Sequence, residues 1–466
     1  LLNPIDQTML ARVSVFSGGF TASAAEAVWL GAVPYGDALA PLLRLEDRQL
    51  LQPGDARQKP PRLTLLETVR QYAAARLAER GETAQVRDKH LAWCLWLAER
   101  AESYLKGPDQ AAWLGRLDVE HDNMRAALGW AQERGAAEEG LRLAGALWRF
   151  WRVRGHFREG QGWLEGALAG GAALSMGARA KALNGAGVLS YLQADFVRAG
   201  SFYQGALACR RGLGDRPGIA ASLGNLGILA TAQSDYCRAE ELHEQALALH
   251  RDLGDRWGVA NTLLSLANVA AVKADYAKAA LLSEEALERW REVGDTGPIA
   301  QALHNFALTL YWMGQFERAA ALQTESLALR RQMGEKRGTA DSLLVLSGLA
   351  CRQGDLGRAA TMAREALELS RDSGAQDLLG EALERIAQVT TAHHQPQVAA
   401  CLAGAAEALR EVLHKPLFPG DRADHEALVH SMHVALGDDA FAAAWTEGRA
   451  MSLDDAVQLA LEVPPR

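Results

Sequence analysis

Nine polar and aromatic residues recur on equivalent helical stretches of this chain: Asn184, Asn225, Asn261, Asn268, Gln301, His304, Asn305, Tyr311 and Trp312, with Lys181 ahead of them. Carboxamides orient polar groups through paired donors and acceptors, and aromatic rings supply contact area. Such a set recognises a ligand; it does not make or break bonds. Asn is a poor residue for a helix interior, so its recurrence in four equivalent helices points to a face that binds something. The alternative is a solvated face whose Asn side chains bond to neighbouring helices.

Other reactive residue types are dispersed. Glu120-His121-Asp122-Asn123 has metal-ligand composition, but consecutive helical residues point in different directions, so polar contacts between helices are expected there. Among His425, His430 and His433 only the last two share a helix face, and His393-His394 fall in a degenerate, solvated stretch. No metal is expected. Five cysteines, Cys94, Cys209, Cys237, Cys351 and Cys401, never form a CxxC, which fits buried thiols in a reducing compartment. Seven tryptophans between Trp93 and Trp163 read as packing between helices. No Ser/His/Asp or Cys/His group emerges, and no enzyme activity is expected.

A repeat of forty residues positions the recurring set. GDRPGIAASLGNLG at Gly214 returns as GDRWGVANTLLSLA at Gly254, GDTGPIAQALHNFA at Gly294 and GEKRGTADSLLVLS at Gly334. Ala199, Ala239, Ala279, Ala319, Ala359 and Ala399 form one column, and Ala206, Ala246, Ala286, Ser326, Ala366 and Ala406 another. In one repeat the apolar positions define a helix over about 218–233, a break at Ser234–Tyr236, and a second helix over about 237–253 closed by Gly254 as left-handed cap. Small residues where the helices cross let two backbones approach. One such hairpin cannot bury its own stripe, whereas a stack can.

The small residue, the aromatic nine positions on (Phe196, Tyr236, Tyr276, Phe316, with Leu356 in the fifth copy) and the two alanines resemble the tetratricopeptide repeat. The period of forty exceeds the usual length of about 34. Six such units fit residues 174–413, preceded by an irregular one over 134–173. The resemblance implies an α-α superhelix whose first helices line a concave groove, and so places the nine residues in that groove.

Residues 1–82 read as three short helices followed by a turn-rich stretch and the alternation Arg62-Leu63-Thr64-Leu65, a winged-helix pattern with Thr21 as the cap of the second helix. That stretch contains nine Arg or Lys and nine Asp or Glu, and its third helix sets Arg44 and Arg48 against Asp37, Glu46 and Asp47. Phosphate neutralisation needs concentrated positive charge, so no direct nucleic-acid binding is expected. A helical arm over 83–133 and a helical cap over 414–466 complete the division. The fold class expected is mainly α: a winged helix followed by a superhelix of extended repeats.

LARVSVFSGGFTASAAEAV, LLETVRQYAAARL, EHDNMRAALGWA and GDDAFAAAWTEGRAMSLDDAVQLAL, in that order, resemble segments of STAND-type signal-transduction ATPases of bacteria, similar in plan to the maltose-regulon activator. In that family a P-loop ATPase precedes the winged helix, the arm and the repeat sensor. This sequence has no GxxxxGK[ST] and no Gly-Lys pair, and residues 1–82 lack the histidine that reaches nucleotide in related ATPases. The resemblance therefore implies that ATP or ADP and Mg²⁺ belong to an ATPase domain of the same parent chain, outside this stretch. It also implies a sensor that controls transcription by binding an inducer or a protein or peptide partner. A general interaction scaffold is the first alternative, and a DNA-binding regulator acting through the winged helix the second.

The bulk numbers agree. With 466 residues, a net charge of −8 and 49% apolar residues, nothing favours nucleic acid or an anionic membrane. No apolar run nears the roughly 20 residues that span a bilayer, and a cytoplasmic location is expected. The chain begins with Leu rather than Met and reads as a piece of something longer.

Overall fold

The computed structural model describes residues 2–29, 38–54, 60–105, 107, 109–170, 174–415 and 417–463. Its fold is mainly α, with 23 α-helices and three short strands among the described residues. The chain forms two compact units, residues 1–229 and 230–466.

The first unit opens with α1 (Pro4–Val13), β1 (Phe20–Thr21), α2 (Ala22–Val28), α3 (Leu39–Asp47), β2 (Gln52–Pro53) and β3 (Arg62–Thr64). Asn3 caps α1 by accepting from the Asp6 amide, and Pro4 sits where its missing N–H costs nothing. Thr21 caps α2 as its sequence position suggests, accepting from Ala24. β1 adds a third strand that the sequence pattern does not show, because two residues are too few for an alternation. It pairs antiparallel with β3, Phe20 opposite Leu63, and β2 pairs on the other side, Gln52 opposite Thr64. Part of the expected turn-rich stretch, 55–59, and the stretch 30–37 lie outside the described residues.

α4 (Glu67–Glu79) leads to the long α5 (Thr83–Glu102) and α6 (Gln110–Arg134), then to the hairpin α7 (Ala137–Arg154) and α8 (Phe157–Leu168). Trp93, Trp148 and Trp151 are buried in this unit's core, and Trp113, Trp130 and Trp163 pack against it; Trp96 is half exposed beneath Arg100. Arg62 on β3 ties the sheet to α6 through the Glu120 carboxylate and donates to the Gly19 carbonyl at 2.8 Å. Asn123 donates to the same carbonyl at 2.9 Å and accepts from the Ser17 amide. His121 faces Glu159 at 3.2 Å. These are the polar interhelical contacts expected of the Glu120–Asn123 stretch.

The repeats follow as helical pairs. In the first unit α9 (Met176–Leu192) packs along α10 (Phe196–Leu213), and α11 (Arg216–Ala232) begins the next pair. The second unit contains α12 (Tyr236–Asp252), α13 (Arg256–Val272), α14 (Tyr276–Val293), α15 (Thr296–Trp312), α16 (Phe316–Gln332), α17 (Lys336–Arg352), α18 (Leu356–Ser373), α19 (Gln376–Ala392) and α20 (Pro396–Val412). From α12 onward each helix packs on the next. The alanine columns are buried throughout, and Ser326, the exception in one of them, donates to the Ala300 carbonyl at 2.8 Å. Gly214, Gly254, Gly294, Gly334 and Gly374 all take the left-handed conformation expected of a cap. A second left-handed column, inside each hairpin, holds Ala194, Ser234, Ala274, Gly314, Gly354 and His394. The degenerate last copy still folds as a hairpin, because Pro396 falls at the start of α20. His394 there is exposed and His393 half-buried.

After α20 a short 3-10 helix at Pro419–Asp421 leads into α21 (Arg422–Leu436), α22 (Asp438–Ala450) and α23 (Leu453–Glu462). Gly404 on α20 and Gly448 on α22 let these helices touch backbone to backbone. A Cβ on Gly448 would stand 1.9 Å from the Cys401 carbonyl oxygen.

Candidate functional site

In the second unit the inner faces of α13, α15, α17 and α19 enclose, with α20 and Leu413, Lys415, Leu417, Phe418 and Asp421, a cavity of about 570 Å³. Asn268, Gln301, Asn305 and Trp312 line it, as do five carboxylates (Asp341, Asp377, Glu381, Glu384, Asp421) and three cations (Arg385, Arg410, Lys415). The volume lies within the range of ligand sites, and apolar side chains such as Leu308, Leu344 and Leu409 fill the wall between the polar groups.

The amides are joined in a chain. Gln301 donates to Asn305 at 2.7 Å, Asn305 donates to Asn268 at 2.9 Å, and Arg330 donates to Gln301 at 3.0 Å. The second bond links neighbouring repeats and the third the two helices of one hairpin, so the amides brace the wall as well as facing the cavity. Arg330, buried at 2% exposure, also holds the Gly338 carbonyl at 2.6 Å and Asp341 at 3.3 Å.

The carboxylates on α19 are tightly partnered. Asp377 accepts from both Arg337 nitrogens and from Lys415 at 3.2 Å. Burial pushes its carboxyl up, but the Arg337 hydrogen bonds and the Lys415 charge outweigh that and bring it to about 2. Glu384 accepts from His425 at 2.8 Å and Arg410 at 2.9 Å. There, too, burial opposes ionisation, and the His425 hydrogen bond and Arg410 charge prevail, again to about 2. Both groups are thus anionic across the physiological range.

The nine residues singled out in the sequence divide by place. Asn268, Gln301, Asn305 and Trp312 meet in the cavity wall. Tyr311 is buried beside it, its hydroxyl donating to Asp424 at 2.5 Å. His304 corrects the expectation of a groove residue. Only 4% exposed, its ring lies between Gln323 and Asp341, and burial lowers its pKa. Position 304 stands three residues after Gln301 and turns toward α16 rather than the groove. Asn261 is half-buried on α13 outside the cavity wall, and its carbonyl accepts from Ser265. Asn184 and Asn225 belong to the first unit, where Asn225 donates to Asn184 at 3.0 Å, and Lys181 there meets Glu102 at 2.7 Å.

The sequence reading missed the acidic wall, although the signal was present. The column Lys181, Ala221, Asn261, Gln301 continues as Asp341 and Glu381, and Asp377, Glu381 and Glu384 share one face of α19 at i, i+4 and i+7. It also missed Phe418 and Asp421, for which local pattern offers no signal.

The model of the tetratricopeptide repeat matches residues 178–252, 258–332 and 298–372. The chain carries tetratricopeptide repeats. In sequence it is similar to chains named as HTH-type transcriptional regulators in Mycobacterium tuberculosis and Mycobacterium bovis, each 34% identical over 236 residues, covering 48% of this chain and 26% of theirs. The chain thus spans about a quarter of the length of those curated relatives. In structure it is similar to a signal transduction ATPase with numerous domains (STAND) from Pyrococcus horikoshii that has a tetratricopeptide repeat sensor. That match has a TM-score of 0.52 and 14% identity, over 93% of this chain and 66% of the other. A Rap protein complexed with competence and sporulation factor matches with a TM-score of 0.53 and 15% identity, over 80% of this chain and 99% of the other. At these identities the two structures share the fold.

Proposed function

We propose that this chain is the sensor and regulatory part of a cytoplasmic signal-transducing ATPase that controls transcription, and that the second unit's cavity receives an inducer or a partner peptide. The observation that carries the reading is the convergence of amides, an indole and paired charges from four successive first helices on one space of about 570 Å³. The similarity to mycobacterial chains named as transcriptional regulators supports the regulatory setting. So does the shared fold of a STAND protein with such a sensor. ATP or ADP and Mg²⁺ belong, in this reading, to an ATPase domain of the parent chain. A ligand shifts that domain only by binding its two states differently.

The winged helix is an intramolecular docking element here rather than a DNA reader. Arg44, a cation of α3, is held by buried Asp6 at 2.7 Å, Arg12 meets Glu82 at 2.9 Å, and Arg62 is buried against Glu120. A scaffold for another protein is the second reading, favoured by the amides being satisfied by one another without a ligand.

A thermal-shift screen of sugars, nucleotides, amino acids and short peptides tests the proposal, with a Gln301→Ala, Asn305→Ala double variant as control. A ligand at a hundredfold excess over Kd adds about 2.7 kcal/mol, and so raises Tm by several degrees in the parent and less in the variant. A hit that shifts both equally places its site elsewhere, and a blank panel favours the scaffold.

A further inference from the structure

The chain crosses its own groove. The segment from Leu413 to His425, described at every position but 416, leaves α20 and runs over the inner faces of α15, α17 and α19. Phe418 lies flat on the Trp312 indole, with centroids 4.8 Å apart and planes at 9°. The indole Nε1 donates to Asp421 at 3.0 Å. Lys415 reaches Glu381 at 2.9 Å and Asp377 at 3.2 Å. A cation, a ring and a carboxylate thus stand three residues apart, and each meets its complement on α15 or α19.

Two further residues hold the end of the segment. Asp424 accepts from Tyr311 and pairs with Arg352, and His425 meets Glu384 at 2.8 Å. At Gly420 the fit is closest: a Cβ there would stand 2.3 Å from the Trp312 ring. A central aromatic anchor flanked by charge pairs is the anatomy of a bound peptide. The cavity left beneath shows that the segment does not fill the groove.

We propose that the second unit's groove recognises peptide segments that present a cation, an aromatic ring and a carboxylate at three-residue spacing, and that residues 413–425 are the chain's own displaceable example. This rests on reading the cavity as the recognition site, and names the chemistry of what enters it. Tethering gives the internal segment a high effective concentration. It therefore excludes weak ligands and yields to a partner that matches all three contacts.

The probe is a synthetic peptide with the sequence of residues 413–425, and the control carries Ala at the three anchor positions. The hosts are the full chain with Phe418→Ala and Asp421→Asn, and separately with Gly420→Ala, which keeps every groove-side group. Circular dichroism melting confirms that each host is folded, and titration calorimetry with tryptophan fluorescence reads binding. The probe is expected to bind both hosts at least tenfold more tightly than it binds the parent, to exceed the control by as much, and to lose binding when Trp312→Leu is added. Equal affinity for parent and hosts, equal affinity of probe and control, or no binding to a folded host overturns the proposal. If a screened small molecule still raises the Tm of the same hosts after such a failure, the cavity remains a sensor site and only the peptide chemistry is lost.

Discussion

Asn225 in the first unit and Asn305 in the second occupy the same column of the repeat, and each donates to an Asn on the preceding first helix. Arg210 and Arg330 also share a column, and each holds the main-chain carbonyl eight residues on and the Ser hydroxyl twelve residues on. The bracing is therefore common to both units. What differs is the column that begins at Lys181 and ends in Asp341 and Glu381, together with the segment that lies over those acids. Asn225 and Asn305 tie one layer to the next in either unit. Recognition chemistry arises where the column changes charge and another element supplies the partner.

The sharpest way to break this contrast is Trp312→Ala. The indole carries the Phe418 stack and the Asp421 hydrogen bond at once. Its removal is expected to cost about 3 kcal/mol, read as a lower urea midpoint, and to expose 413–425 to limited proteolysis. A variant that keeps the segment protected would show that the other contacts suffice.

Next in size is the paired comparison of Arg330→Met with Arg210→Met. Arg330 is buried and satisfies two carbonyl or amide oxygens besides Asp341 and Ser342, whereas Arg210 is half-buried with fewer partners. Unpaired buried acceptors cost about 1–3 kcal/mol, so Arg330→Met should lose about 3 kcal/mol and Arg210→Met about 1 kcal/mol. Equal losses would mean that the two units are braced alike at this column, contrary to the burial difference.

Acid should loosen the second unit's cavity wall. Asp377 and Glu384 are held at about 2, below their ordinary values. A depressed carboxylate contributes its full stabilisation above its unfolded pKa near 4, and loses it as pH falls through the folded value. Between pH 4.5 and 2 the two together should release on the order of 2 kcal/mol. The Asp377→Asn, Glu384→Gln variant should be less stable at pH 7 and show a flatter stability curve over that window. A parallel curve would assign the acid sensitivity elsewhere.

Much of this architecture is legible in the sequence because its causes are local and repeated. The forty-residue period, the glycine caps and the buried alanines are each set by residues within one hairpin. Four of the nine expected groove residues line the cavity, since a helix face follows from spacing alone. His304 was misplaced because a position three residues from Gln301 lies at the edge of that face, where packing against α16 decides. Phe418 and Asp421 could not be read at all. Their contacts with Trp312 close a loop of more than a hundred residues, and neither residue belongs to a periodic pattern.

A smaller effect separates brace from recognition. Asn225→Ala removes one amide bridge and Asn305→Ala two, and each should cost about 1 kcal/mol. Only Asn305→Ala should also change the fluorescence response of the chain to a groove ligand, because only Asn305 lines the cavity. An equal response in both variants would remove the distinction between the units.

The smallest expected change is a gain, and it concerns what the units share. The turn inside each hairpin requires a left-handed residue. Gly314 and Gly354 supply it without strain, but Ala194 in the first unit and Ala274 in the second adopt φ of 59° and 61°. A Cβ in that conformation costs about 1–2 kcal/mol, and glycine gives part of this back through its greater freedom when unfolded. Ala194→Gly and Ala274→Gly should therefore each stabilise by about 0.5 kcal/mol, measured as a raised urea midpoint at unchanged slope. Gly294→Ala, in the neighbouring left-handed column, should destabilise by more than either gains. If the alanine turns gain nothing, their strain is already relieved by the hairpin contacts. The repeat would then tolerate its own sequence drift at this position for packing reasons rather than conformational ones.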